Sequence, residues 1–349
     1  MSSRTLKDIV RAQINHDETD FVPYSLLLEK SAVEKLDQYY ESTCWKEDNV
    51  ESVYITREGF DTWDTFICYD PSHPEKKRDA FGSEWTYTDN IIHLDKPGLE
   101  GIKYENYKWP TIDDFLNQEK WERFKQECRE NSGKYLVGRN GAGPFELSWR
   151  MMGVENALEA CVADEDLYED IVEHITVLME QFIDECVKLP VDAILFGDDW
   201  CDQRGCTMGP DRWRRFFKPR LARMYDRIHK AGRKAITHVC GSVAVLVPEL
   251  IEIGLDVLES VQPEAAEMNP YELKRRFGKD MTFWGCLGCQ NIVTFGTPEE
   301  LKSEIRRLRM EMSRGGGYIL APAKPLNHTV QTENLVAIYE TFIEENYKI

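Results

Sequence analysis

Thr237-His238-Val239-Cys240-Gly241 sets an imidazole and a thiol two residues apart. In an extended segment such side chains share a face, and imidazole with thiolate is a suitable donor pair for zinc. Spacing by itself favours a hydrogen-bonded core histidine beside a buried thiol. Placement at the end of an apolar run, with Cys286 two strands later, shifts the reading toward a ligand set of His238, Cys240 and Cys286. Cys286 and Cys289 form a C-x-x-C, but no second pair has finger-like spacing, so Cys289 is the rival third ligand rather than part of a redox motif.

Other polar residues follow other apolar runs. Gly197, Asp198, Asp199 and Trp200 come after Val191 to Phe196; Glu259 and Gln262 accompany Val257 and Leu258; Gln290, Lys324 and His328 come later. The Asp198-Asp199 doublet could hold a substrate cation, serve as acid or base, bind a metal, or cap the next turn. Alternation along a strand sends the two carboxylates opposite ways, so one of them faces a site. Asp199 is the expected acid or substrate anchor, with Glu146 as a second. Glu146 lies in Gly143-Pro144-Phe145-Glu146-Leu147-Ser148-Trp149, where a carboxylate favours a helix N-terminus with or without a function. Lys324 could offer a positive charge to an anionic substrate or to a phosphate group, or it could be a solvated loop lysine. Trp149, Asp198, Trp200, Gln262 and Gln290 are the expected substrate contacts, although the tryptophans, Trp284 included, could equally be core.

These residues need a scaffold that gathers strand ends. From Lys134 onward apolar runs alternate with helical patterns: Tyr135 to Val137, a long helical stretch to about Lys188, Val191 to Phe196, and a helix near Asp211 to Ala231. The series continues with Lys234 to Val239, a helix near Val243 to Ile253, Val257 to Val261, and a helix near Pro270 to Phe277. Met281 to Leu287, a helix near Pro298 to Ser313, Tyr318 to Ala321 and a last helix from about Glu333 complete it. Repeated strand–helix units imply a parallel sheet, and closure into a barrel removes its edges. In such a barrel the site lies at the C-terminal ends of the strands. Thr297-Pro298-Glu299-Glu300 reads as cap, first-turn proline and acidic turn, and Gly232 follows a basic helix end.

Residues 1 to 133 are less regular. Tyr54 to Thr56 and Phe66 to Tyr69 carry strand patterns, while Tyr104 to Trp109 shows no period. The expectation is a single domain over residues 1–349: an α/β, distorted (β/α)8 TIM-type barrel with an elaborated N-terminal region over about 1–110, two barrel strands coming from the first third.

A chain of 349 residues, 42% hydrophobic, suffices for one such barrel and is short for two catalytic domains. A net charge of −19 repels phosphate backbones, which argues against a nucleic-acid partner. No run approaches the ~18 apolar residues of a membrane span, and Met1 to Asp17 has no apolar signal core, so a soluble cytoplasmic protein is expected. The ten cysteines then read as reduced thiols rather than a disulfide framework.

From about Val191 onward the chain resembles the uroporphyrinogen decarboxylase superfamily, which includes tetrapyrrole decarboxylases and zinc-dependent, corrinoid-linked methyltransferases. The resemblance rests on Thr237 to Gly241, on Phe277-Gly278 before Met281 to Gly285, on Phe295 to Glu300, and on Gly315-Gly316-Gly317-Tyr318-Ile319-Leu320-Ala321-Pro322, in the family's order. It implies a distorted barrel with a deep pocket at the strand C-termini. The true decarboxylases carry an arginine-rich N-terminal segment to grip a polycarboxylate. The counterpart here, Phe21 to Lys30, has no arginine and one glutamate. The methyltransferase branch uses a histidine and cysteine like His238 and Cys240 with a further cysteine near the last strand, where this chain has Lys324. The third ligand is thereby left to Cys286, Cys289 or Glu259, or the site holds no metal.

The resemblance therefore implies a zinc-dependent methyltransferase that moves a methyl group between a small methylated substrate or thiol and a corrinoid carried by a separate partner protein. Zinc would activate the leaving heteroatom or the thiol, and Co(I) of the corrinoid would be the nucleophile. The alternatives are a metal-free lyase acting on a tetrapyrrole or other carboxylate, and a non-catalytic binding protein that uses the barrel pocket.

Overall fold

The computed structural model describes residues 5–59, 65–88 and 92–344. Its strands in chain order are β1 (Val53–Gly59), β2 (Ile67–Cys68), β3 (Lys76–Arg78), β4 (Glu84–Tyr87), β5 (Ile92–Lys96), β6 (Tyr135–Ala142), β7 (Ala193–Gly197), β8 (Lys234–His238), β9 (Val257–Val261), β10 (Thr282–Leu287) and β11 (Tyr318–Pro322). Seven of them form one parallel sheet in the order β1-β6-β7-β8-β9-β10-β11, and β2 to β5 form a separate antiparallel sheet. Phe66 to Tyr69 thus contributes to the small sheet, while Tyr54 to Thr56 lies in β1.

The parallel strands are buried on both faces, which is why they read as continuous apolar runs rather than alternating ones. Val53, Tyr135, Val137, Ala193, Leu195, Ile236, Val257, Trp284 and Ile319 pack together on the concave side. Val10 and Ile14, from the helix Leu6–Ile14, join this inner cluster. The opposite face of the sheet packs against the connecting helices.

Seven regular strands are one fewer than the expected eight. Between the sheet edges lies the backbone of residues 23–25: the Ser25 amide donates to Leu320 (3.0 Å), the Leu320 amide to Pro23 (2.9 Å), and the Ser52 amide to Tyr24 (3.2 Å). Only isolated parallel bridges form here, at Tyr24–Leu320 and Leu28–Leu326. Pro23 has no amide hydrogen to give and Leu27 sits at φ 48°, so a continuous ladder is not available to this run.

The expected helix up to Lys188 is three helices, Pro144–Met152, Val154–Ala163 and Glu165–Cys186. Gly153, at φ 84°, separates the first two, and the Asp164 side chain caps the third through the Leu167 amide. The Thr297 signal is realised as a full capping box with Glu300 on the helix Pro298–Met312. No helix of the described residues is long and apolar enough to cross a membrane.

Candidate functional site

β7 and β8 end side by side, with Gly197 paired to His238. Beyond them Asp199, His238 and Cys240 converge: one ligand atom from each lies within 4.8 Å of the others, the only such group of three among the described residues. His238 Nε2 stands 3.0 Å from Cys240 Sγ and 3.9 Å from Asp199 Oδ1. Asp199 Oδ1 also accepts the Cys240 amide at 2.8 Å, which fixes the loop after β8 to the loop after β7.

Two further side chains complete the cluster. Glu259, on β9, places Oε2 2.5 Å from His238 Nδ1. Lys324, just past β11, donates from Nζ to Cys240 Sγ at 2.5 Å. Burial alone would pull the imidazole down, but the Glu259 carboxylate and the Cys240 sulfur outweigh it and hold His238 well above the usual histidine range. Burial likewise opposes the charge of Lys324, and Cys240, Asp199 and Glu259 overcome it, so its ammonium titrates above the usual lysine range.

Asp199, His238, Glu259 and Lys324 open onto a cavity of about 380 Å³. Leu27, Ile55, Ala142, Leu195, Ala323 and Pro325 supply apolar wall, and Arg139, Glu146 and Arg150 supply charge. Arg150 Nη2 lies 3.3 Å from Glu146 Oε1, and its guanidinium lies over the Trp149 ring, 5.8 Å from the centroid. Glu146 therefore does reach the pocket wall from the first turn of the helix Pro144–Met152.

Asp198 corrects an expectation. It is wholly buried and takes hydrogen bonds from the Phe145 amide (3.1 Å), the Glu146 amide (2.8 Å) and the Trp200 indole (2.6 Å). Its carboxylate caps the helix that carries Glu146, so it positions the wall instead of touching substrate. A Cβ on Gly143 would come within 2.3 Å of the Gly197 carbonyl and 2.5 Å of the Asp198 carboxyl, which is why only glycine allows the helix to start there. Burial, with Glu146 adding to it, pushes the Asp198 carboxyl well above the usual range.

Cys286 is a second correction. Gly285 at φ 116° and Cys286 at φ 76° turn the backbone where the pairing of β10 with β9 slips register. The thiol ends in the apolar layer between sheet and helices, pushed upward by burial, with Glu304 and Lys274 as its charged neighbours. Simple alternation from Trp284, which faces the inner cluster, would have put Cys286 inside as well. Cys289 is held by the carbonyls of Leu287 (3.6 Å) and Lys324 (3.5 Å), and burial pushes its thiol up to about 11.

Of the expected substrate contacts, Trp200 is core, edge-on to Trp213 at 5.6 Å. Gln262 is buried and braces the turn after Cys240, accepting the Gly241 amide at 3.2 Å. Gln290 is exposed, its amide bound to Glu264. Trp149 is half-buried beside Arg150 and outside the walls of the cavity described above. His328 is exposed, its carbonyl accepting from Lys35. Sequence reasoning passed over Arg139 and Arg150. Arg139 sits toward the C-terminal end of β6, and Arg150 follows Glu146 by one helical turn, so the strand-end rule that found Asp199 reaches the first of them.

Asp199, His238 and Cys240 suit a divalent metal of borderline softness, since imidazole, thiolate and carboxylate are all zinc donors. Glu259 behind His238 is the carboxylate partner that such a histidine ligand characteristically has.

A comparison with curated proteins finds no match. Among solved structures, a methyltransferase from Methanosarcina mazei aligns over 99% of this chain and 100% of its own, with TM-score 0.71 at 19% identity, which shows a common fold. A D-psicose 3-epimerase with D-tagatose from Clostridium cellulolyticum H10 aligns over 67% of this chain and 84% of its own, with TM-score 0.42 at 12% identity. A putative vitamin-B12 independent methionine synthase from Listeria monocytogenes aligns over 94% and 99%, with TM-score 0.43 at 10% identity. The family model for uroporphyrinogen decarboxylase (URO-D) matches residues 123–344, which span β6 to β11 and every residue of the Asp199, His238, Cys240, Glu259 and Lys324 cluster. The chain belongs to the uroporphyrinogen decarboxylase (URO-D) family.

Proposed function

We propose that this chain is a methyltransferase that moves a methyl group between a small methylated substrate or thiol and a corrinoid carried by a separate protein. Asp199, His238 and Cys240 would hold zinc, and residues 21–28 act as the irregular eighth stave of a (β/α)8 barrel. The convergence of those three donors within 4.8 Å, with Asp199 and His238 lining the cavity, carries this reading. The likeness to the Methanosarcina mazei methyltransferase supports it at the level of fold.

Zinc in this place would supply Lewis acidity, polarising the leaving heteroatom or lowering the pKa of a thiol. The protein's own part is preparation. Glu259 fixes the ring of His238, the hydrogen bond from the Cys240 amide to Asp199 fixes the loop, and Leu27, Ile55 and Leu195 give the cavity an apolar side. Lys324 brings a positive charge to the sulfur where the methyltransferase branch has a further cysteine. Glu146, held by Arg150, can anchor a polar end of the substrate.

Arg139 and Arg150 on the cavity wall favour one second reading, a metal-free enzyme acting on a carboxylate substrate, because they bring from other elements the cations that the N-terminal segment lacks. Elemental analysis of protein purified without added metal, repeated on Asp199→Ala, His238→Ala and Cys240→Ala, separates the two. Stoichiometric zinc, lost in the variants together with methyl transfer, supports the first reading. Metal-free protein whose activity survives a chelator overturns it in favour of the second.

A further inference from the structure

The loop after Asp199 doubles back on itself. The Asp202 amide donates to the Gly205 carbonyl (2.9 Å) and the Thr207 amide to the Trp200 carbonyl (2.8 Å). Those two bonds flank Cys201 and Cys206, which form an isolated antiparallel bridge. The pattern makes them a non-hydrogen-bonded cross-strand pair, the closer of the two antiparallel pairings, with Cα atoms about 4.5 Å apart and side chains on one face. A disulfide needs Cα atoms about 4.4–6.8 Å apart.

We propose that Cys201 and Cys206 are a modification site: a dithiol that closes to a reversible disulfide inside the loop carrying Asp199. Both thiols are free in the structure. Cys201 is buried and Cys206 half-buried, so Cys206 is the sulfur a small oxidant meets first. The donors around Cys206 are the Cys201 thiol and the amides of Met208 and Gly209, and they hold it below the usual cysteine range.

With a small-molecule disulfide as oxidant the exchange balances. Cys206 attacks one sulfur of the oxidant and expels a thiolate, which takes up the Cys206 proton and leaves as thiol. Cys201 then attacks the Cys206 sulfur of the mixed disulfide and releases the second thiol, which takes the Cys201 proton. The protein loses two hydrogens and the oxidant gains them. The bridge would lock a turn that the site depends on, because the Asp202 carbonyl accepts the Ser242 amide at 2.8 Å and lies where a Cβ on Gly241, next to Cys240, would meet it at 2.4 Å. Disulfides of this transient kind are the ones that reducing compartments tolerate. None of this depends on whether zinc is bound.

Arg204 lies between the two cysteines, so trypsin separates them into the peptides 189–204 and 205–212, which only a disulfide can hold together. The full-length protein is incubated with oxidised glutathione, blocked with iodoacetamide, digested and analysed by mass spectrometry. The exposed thiols Cys44 and Cys68 report that the oxidant acted. The expected result is a linked 189–204/205–212 pair that dithiothreitol releases and that Cys206→Ser abolishes. Absence of that pair while Cys44 and Cys68 carry glutathione, or Cys201 or Cys206 found linked to Cys240 instead, overturns the proposal.

Discussion

Glu259 Oε2 lies 2.5 Å from His238 Nδ1, where the end of β8 pairs with the middle of β9. With Nδ1 committed to that carboxylate, the ring can present only Nε2 to Cys240 and Asp199. A partner of this kind orients a metal-ligating histidine and raises its basicity. Glu259→Ala is therefore expected to weaken zinc binding on the order of 10- to 100-fold, read by competition against a chromophoric chelator. Glu259→Gln keeps an acceptor oxygen and should lose less. Equal affinity in wild type and Glu259→Ala would show that Glu259 does not support a metal ligand at His238.

Lys324 is the departure that distinguishes this site. Its ammonium contacts the Cys240 sulfur at 2.5 Å, and burial, which would lower it, is outweighed by Cys240, Asp199 and Glu259. A cation there competes with a metal for the sulfur, yet it also places positive charge at the reacting end of the cavity. Lys324→Met, similar in length and uncharged, is expected to bind zinc at least as tightly as wild type. Its kcat for methyl transfer should fall on the order of 100-fold, as removal of a positioned charge that stabilises the reacting end does, with KM little changed. Parallel loss of zinc and activity would show instead that Lys324 only holds the site together.

What was legible in the sequence, and what was not, follows from the range of the forces involved. The strand–helix series from Tyr135 to Ile343 was readable because buried parallel strands and amphipathic helices leave local signatures, and boundaries such as Thr297 carry their own capping chemistry. Asp199, His238, Cys240 and Lys324 were readable because strand ends in this architecture converge. Alternation misplaces Cys286 because two positive φ angles and a register slip override it, and neither leaves a mark in residue type beyond Gly285 itself. Alternation separates Asp198 from Asp199, but which of them faces the cavity depends on the amides of Phe145 and Glu146 some fifty positions earlier, which hold Asp198. Arg150 is invisible to strand-end reasoning because a helix delivers it.

Asp256, just before β9, tests the scaffold rather than the site. Its carboxylate accepts from His229 (2.7 Å), from Lys234 (2.9 Å) and from the Ala235 amide (2.8 Å), tying a helix end to the start of β8. Burial would raise this carboxyl, but the His229, Lys234 and Ala235 donors win, so it titrates below the usual aspartate range. In acid the native protein therefore binds fewer protons at this position than the unfolded chain does. The stabilisation is complete above the unfolded value of about 3.9 and is lost as the pH falls through the lower native one. Asp256→Asn should cost about 1–3 kcal/mol at pH 7. In urea titrations from pH 7 down to pH 3, the gap between wild type and variant should stay constant to about pH 5 and narrow below pH 4. A gap that does not narrow in acid would show that the Asp256 carboxylate is not held by these donors in solution.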